Sequence, residues 1–259
     1  MRYGFVVPWA DAEAIGDLAA TAEDVGWDGL FVWEPVWGVD AWIGLAVAAV
    51  RTSRIRLGTL LTPPSRRRPW ELASQVATVD RLSDGRVTLS VGLGAIDSGF
   101  DKFGEECDRR LRAELMDECL DIVTGLWRGQ PFSYTGKHYT IRPTEFPTIG
   151  HVVQEPRVPI WCVGAIDRPK SMARALRWDG LLPQVGGSSH PSLAQVRAVR
   201  DHVGDRDYDI VIEGANSEHS PAAWARAGAT WWIESMWNAM REIDAVLAAN
   251  DRLVQGPPR

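Results

Sequence analysis

Short apolar runs of strand length alternate along this chain with longer stretches whose apolar residues recur every three or four positions. The pattern is clearest between Ile55 and Gly94. Ile55–Leu61 and Val87–Leu93 are apolar runs, and between them Trp70–Leu82 places Leu72, Val76, Val79 and Leu82 at helical spacing. A strand, a helix and a second strand in that order build a parallel pair with a right-handed crossover. The same reading predicts strands at Tyr3–Pro8, Gly29–Glu34, Val158–Val163, Gly180–Gln184, Tyr208–Glu213 and Thr230–Glu234. It predicts helices at Ala12–Val25, Trp42–Val50, Arg109–Trp127, Pro169–Arg177, Pro191–Val203, Pro221–Ala227 and Met236–Ala249. Asp11 reads as the N-cap of the first helix and Gly26 as its stop.

About eight strands alternating with about eight helices predict a closed (β/α)8 barrel, a single domain over residues 1–259, rather than an open doubly wound sheet. Phe132–Ile141, with Gly136 at its turn, reads as a hairpin inserted between the fourth and fifth barrel strands. Thr144–Arg157 is proline-rich and irregular, and Gly186–Ser189 is a loop.

Composition narrows the class. The length suits one such barrel, for which about 250 residues is usual. The net charge of −6, with no long run of either sign, argues against a nucleic-acid or membrane-surface partner. Cys107, Cys119 and Cys162 form no CxxC pair, an odd and sparse set that predicts a reduced, cytoplasmic protein. No stretch reads as a signal peptide or a membrane span. Thirteen tryptophans are unusual, and read as core and interface fillers with some lining a pocket.

In barrels of this kind the active site lies at the C-terminal ends of the strands. Those positions here are Pro8-Trp9, Trp33-Glu34, Thr59–Thr62, Gly92–Ala95, Gly164-Ala165, Pro183-Gln184, Glu213-Gly214 and Glu234-Ser235. They are rich in Gly, aromatic and acidic residues, and none is a histidine. Metal-dependent hydrolysis is therefore disfavoured. Schiff-base chemistry, as in an aldolase, would want a strand-end lysine, and Lys102, Lys137 and Lys170 end no predicted strand.

The ordered motifs carry a resemblance. IRLGT, RRRPW, the LS-DGR turn and the strand end Gly92-Leu93-Gly94 are similar to those of the bacterial luciferase-like flavin oxidoreductases. So are Gly26-Trp27-Asp28, Gly125–Gly129, Pro159–Gly164 and Arg177–Gly180. The resemblance covers nearly the whole chain. It implies a flavin-dependent oxidoreductase of the monooxygenase type acting on a small organic substrate. FMN is the expected cofactor. The alternatives are a deazaflavin coenzyme in a reductase or dehydrogenase, and a non-catalytic flavin-binding barrel. A homodimer through the second and third helices is also implied.

The resemblance and the strand-end positions together predict cofactor contacts at Thr59, Leu60, Leu61, Gly92, Gly94, Ala95, Gly164, Ala165 and Arg168. In the resembling family the turn at Gly164–Arg168 binds the flavin phosphate, often through two glycines, of which this chain has one. The run Arg66–Arg68 is a second candidate for cofactor contact, or an internal salt-bridging run. The family implies a non-prolyl cis peptide at Thr59–Leu60 or a neighbouring bond. Many members carry a histidine where this chain has Pro35, which cannot move a proton. Glu34 is then the candidate catalytic acid or base, with pairing to an arginine as its structural alternative. Ala95 stands where deazaflavin-dependent sugar dehydrogenases carry a glutamate. Glu213 and Glu234 face either the mouth or the core.

Overall fold

The computed structural model describes residues 1–146, 151–186, 190–214, 217–237 and 243–258. Eight parallel strands close into a barrel: β1 (Arg2–Val7), β2 (Gly29–Val32), β3 (Arg56–Thr59), β4 (Val87–Val91), β7 (Ile160–Ala165), β8 (Gly180–Gln184), β9 (Asp209–Glu213) and β10 (Trp231–Ser235). They neighbour in chain order and β10 pairs with β1 through Arg2↔Trp231 to Val6↔Ser235. The hairpin of β5 (Phe132–Thr135) and β6 (Thr140–Thr144) stands apart as an antiparallel pair, inserted as its turn chemistry predicts.

The helices are α1 (Ala12–Val25), α2 (Ala41–Arg51), α3 (Pro69–Leu82), α4 (Arg109–Arg128), α5 (Pro169–Ala175), α6 (Leu193–Val203), α7 (Pro221–Ala227) and α8 (Ile243–Val254). Their starts are written locally. Asp11 accepts the Ala14 N–H, Asp40 accepts those of Trp42 and Ile43, and Asp108 accepts that of Leu111. Gly26 ends α1 at φ 93°, the left-handed conformation that favours glycine. Helix boundaries differ from the sequence reading by one or two residues at α2 to α6, and by five at the end of the closing helix. Pro191 precedes α6, whose cap is Ser192 in a reciprocal box with Gln195. The closing helix continues to Val254 instead of ending at Ala249. Of the predicted loop 186–189, residues 187–189 lie outside the described residues.

Side chains of successive strand residues point to opposite faces. One face of each strand packs on the helices, and the other fills the barrel. The interior holds Val6, Phe31, Leu60, Trp161, Leu182, Val211, Trp231 and Ile233. Phe31, Trp161 and Trp231 pack with ring centroids 5.3–6.0 Å apart. Glycines make the room. A Cβ on Gly4 or Gly29 would lie 2.8 or 2.9 Å from the Phe31 ring, and one on Gly180 2.5 Å from Trp161. This aromatic plug makes the barrel a solid core, which leaves the C-terminal mouth as its open end.

Candidate active site at the barrel mouth

Strand parity decides what faces the mouth. Extending the interior set by two residues per strand brings Pro8, Trp33, Gly92, Ala165, Gln184, Glu213 and Ser235 to the rim, with Leu60 and Val163 below them. Past β3 the peptide joining Leu60 to Leu61 is cis, one bond beyond Thr59–Leu60. Leu61 then lies over Gly92, where a Cβ would meet it at 2.7 Å and Val163 at 3.0 Å. Leu60, Leu61, Gly92 and Val163 thus form an apolar floor. Trp33 stands beside it, its indole N–H donated to the Pro8 carbonyl at 2.6 Å and its ring packed edge-on against Trp9 at 5.3 Å.

Glu34 lies on the other parity. It follows Leu30 and Val32, which pack outward, so its carboxylate turns away from the barrel axis toward the helices. There Arg67 Nε donates to Oε1 at 2.8 Å and Thr62 Oγ1 to Oε2 at 2.9 Å. Thr59 Oγ1 is 3.0 Å from Thr62 Oγ1. Arg67 also donates to Gln75 and lies 3.8 Å from Asp40, the cap of α2. Burial disfavours the Arg67 charge, but Glu34, Asp40 and Glu71 outweigh it and hold the guanidinium above its ordinary value. The structural alternative, an arginine partner, describes where Glu34 sits.

The arginine run divides three ways. Arg67 is in that ion pair, and Arg66 donates to the Pro35 carbonyl at 2.7 Å. Arg68 is exposed. Burial lowers the Arg66 guanidinium, against the pull of Glu34 and Glu105. Arg66 and Arg112 both stack near the buried Phe100 ring, at 5.2 and 5.7 Å. Arg112, 3% exposed, donates to the Leu93 carbonyl at 2.6 Å and the Gly94 carbonyl at 3.2 Å. It therefore fixes the strand end that carries Gly92, Gly94 and Ala95. The sequence held no signal for this role, since Arg112 is one of several arginines on an amphipathic helix.

The predicted contact residues do not converge equally. Leu60, Leu61, Gly92 and Ala165 border the mouth. Thr59 and Gly164 face outward: Thr59 reaches the Ser90 carbonyl, and a Cβ on Gly164 would meet Leu181 at 2.4 Å and Met172 at 3.1 Å. The glycine at 164 thus admits α5 against β7. Gly94, at φ 77°, has Phe100 and Pro63 against it. In the turn at 165–168, the N–H groups of Ala165, Ile166 and Arg168 are given to Ser171 Oγ, the Gln184 carbonyl and the Ala165 carbonyl. Arg168 itself is exposed.

The other strand-end acids separate by the same rule. Glu234, of outward parity, meets Arg252 of α8 at 2.9 Å. Burial raises its carboxyl above the ordinary value, and Arg252 opposes that rise. Glu213, of inward parity, faces the mouth and accepts the indole N–H of Trp237 on Oε2.

Comparison with known proteins places this geometry. A putative coenzyme F420-dependent oxidoreductase of Mycobacterium tuberculosis is 33% identical over 64% of this chain and 50% of its own length. An F420-dependent glucose-6-phosphate dehydrogenase of Nakamurella multipartita is 30% identical over 78% of this chain and 62% of its own. The chain thus matches about half to two thirds of these two relatives. A solved monooxygenase of Streptomyces bottropensis superposes with a TM-score of 0.70 at 21% identity, over 98% of this chain and 80% of that one. The coenzyme F420 dependent tetrahydromethanopterin reductase of Methanopyrus kandleri gives 0.69 at 22%, over 82% and 65%. At such identities these two structures speak for the fold. The profile of the luciferase-like monooxygenases matches residues 1–253, the span that carries every barrel strand and the whole mouth, and the chain belongs to that family.

Proposed function

We propose that the chain is a flavin-type oxidoreductase that binds its cofactor at the barrel mouth and acts on a small organic molecule. The observation that carries this reading is the apolar floor of Leu60, Leu61, Gly92 and Val163 beneath a rim of Trp33, Gln184, Glu213 and Ser235. A planar ring system with an apolar body and polar edges fits a flat apolar floor and a polar rim. Such a cofactor would supply two-electron chemistry, and the protein position and electrostatics.

The residues then have distinct tasks. Leu60 and Leu61 support the ring, and Gly92 leaves it space. Arg112 holds the Leu93 and Gly94 carbonyls so that the floor keeps its shape. Ala165 and Arg168 are the candidate contacts for the cofactor's anionic part, through the Arg168 side chain, since the N–H groups of Ala165, Ile166 and Arg168 already have acceptors within the protein. Glu34, with both oxygens engaged, clamps β2 to the segment after β3, and an acid–base role for it would require releasing Arg67.

Between cofactors, the names of the relatives at 33% and 30% identity favour deazaflavin F420 over the FMN expected from sequence. FMN stays in the test because a structural neighbour, at 19% identity, is a monooxygenase in complex with FMN. The exposed Ile43 and Val50 of α2 and Trp70 of α3 support a homodimer through that face. No helix among the described residues is long and apolar enough to cross a membrane.

Separate titration of the purified chain with FMN and with F420, followed by tryptophan fluorescence, tests the reading. F420 should quench saturably and more tightly than FMN. Absence of saturable quenching by both would overturn it.

A further inference from the structure

Three glutamates end barrel strands, and the fold treats them differently. Glu34 and Glu234 turn outward, and each meets an arginine, Arg67 and Arg252. Glu213 follows the interior residue Val211 by two positions and turns inward. It forms no ion pair with a described arginine or lysine. Its hydrogen-bond partner is the indole of Trp237, on the segment after the neighbouring strand β10. An indole N–H is a neutral donor: it fixes the carboxylate's direction and leaves its charge.

The cleft beside Glu213 runs between the ends of β8 and β9, walled by Leu182, Pro191 and Val211 with Gln184 and His190 at its polar end. Apolar walls with a few convergent polar groups are the usual form of a small-molecule site. A half-buried carboxylate that no described arginine or lysine pairs favours a ligand that brings a hydrogen-bond donor, and disfavours one that brings a second negative charge.

We propose that Glu213, oriented by Trp237, is the specificity-determining residue of the mouth. It receives the hydroxyl or ammonium group of the organic substrate and excludes carboxylate or phosphate groups from the cleft between β8 and β9. This assignment rests on the oxidoreductase reading for its place beside the cofactor floor. The charge selection follows from the carboxylate itself.

The test uses three probes of one shape: cyclohexylammonium, cyclohexanol and cyclohexanecarboxylate, titrated calorimetrically into the full chain at neutral pH. The wild type should bind the ammonium and the alcohol at least about tenfold more tightly than the carboxylate, as a hydrogen bond to a charged group implies. Glu213→Gln should bring ammonium and carboxylate to within a few-fold of each other while far-UV circular dichroism stays unchanged. Trp237→Phe should reduce the ratio without abolishing it, a change in selectivity that a purely structural indole would not produce. Equal binding of the three probes by the wild type would overturn the assignment, as would an unchanged ratio in Glu213→Gln or no binding of any probe. The parallel cofactor titration separates the two ideas. An intact probe ratio without binding of FMN or F420 sinks the oxidoreductase reading and upholds Glu213. Cofactor binding with no probe selectivity does the reverse.

Discussion

Replacing Arg67 by methionine would remove the cation from Glu34 and leave a stem of similar length. Glu34 keeps Thr62 on Oε2 and loses its partner on Oε1. With its side chain 2% exposed, water can replace little of that contact. Removing one member of a buried ion pair costs roughly 3–5 kcal/mol. The lower end applies here, because Arg67 is 16% exposed and the Thr62 bond survives. At roughly 2–4 °C per kcal/mol for a domain near this size, Arg67→Met should melt about 6–12 °C below the wild type. Glu34→Gln should cost less, about 1–2 kcal/mol, since Arg67 retains Gln75 and Asp40 while a charge-assisted bond becomes a neutral one. The double variant should be more stable than the two losses added, by about 1 kcal/mol or more, because the buried carboxylate that Arg67→Met leaves without its cation is absent when residue 34 is neutral. Thermal and urea unfolding of the four proteins gives this coupling directly. Strict additivity would refute the view that Glu34 is held as half of a buried pair, and would return it to consideration as a free acid–base group. Cofactor affinity, measured on the same samples, should be unchanged in Glu34→Gln.

Gly92→Val should displace Leu61 from the floor and weaken cofactor binding by about tenfold or more. Gly164→Val should instead lower the melting temperature through collision with Leu181 and Met172, by about 1–3 kcal/mol of overpacking; fluorescence titration and calorimetry separate the two effects. Burial raises the Glu234 carboxyl above 4.5, with Arg252 opposing. The folded chain therefore holds a proton that the unfolded chain has released, and stability falls as pH rises through the window above 4.5. Glu234→Gln should flatten that slope in urea denaturation at a series of pH values. Hydrogen bonds from Lys137, His138 and Arg110 hold Glu114 down at about 2. Its side-chain contacts with Lys137 and His138, which tie the β5–β6 hairpin to α4, are therefore complete above 4.5 and lost as pH falls toward 2, so the protection factors of the hairpin amides, corrected for the intrinsic pH dependence of exchange, should fall across that interval and not above it.

The periodicity of the chain determined its architecture. Alternation of strand-length and helix-length apolar patterns is a local property, and it yielded the barrel, the inserted hairpin, Asp11 as a cap and Gly26 as a stop. The motifs from IRLGT to Gly94 determined the family, because ordered short matches survive without any knowledge of contacts. The sequence also placed the mouth, since strand ends follow from strand positions. What it could not determine was direction. A residue at a strand end turns in or out according to its count from the interior residues, and a shift of one reverses it. Glu34 and Glu213 look alike in sequence, each closing a run of apolar strand residues. The closed barrel sends the first toward Arg67 and the second inward, to the cleft between the ends of β8 and β9. Gly92 and Gly164 divide the same way, one facing the mouth and the other admitting α5. Arg112 is further still from sequence reading: the carbonyls it holds are 18 and 19 residues away in the chain, and the fold alone brings them to its guanidinium.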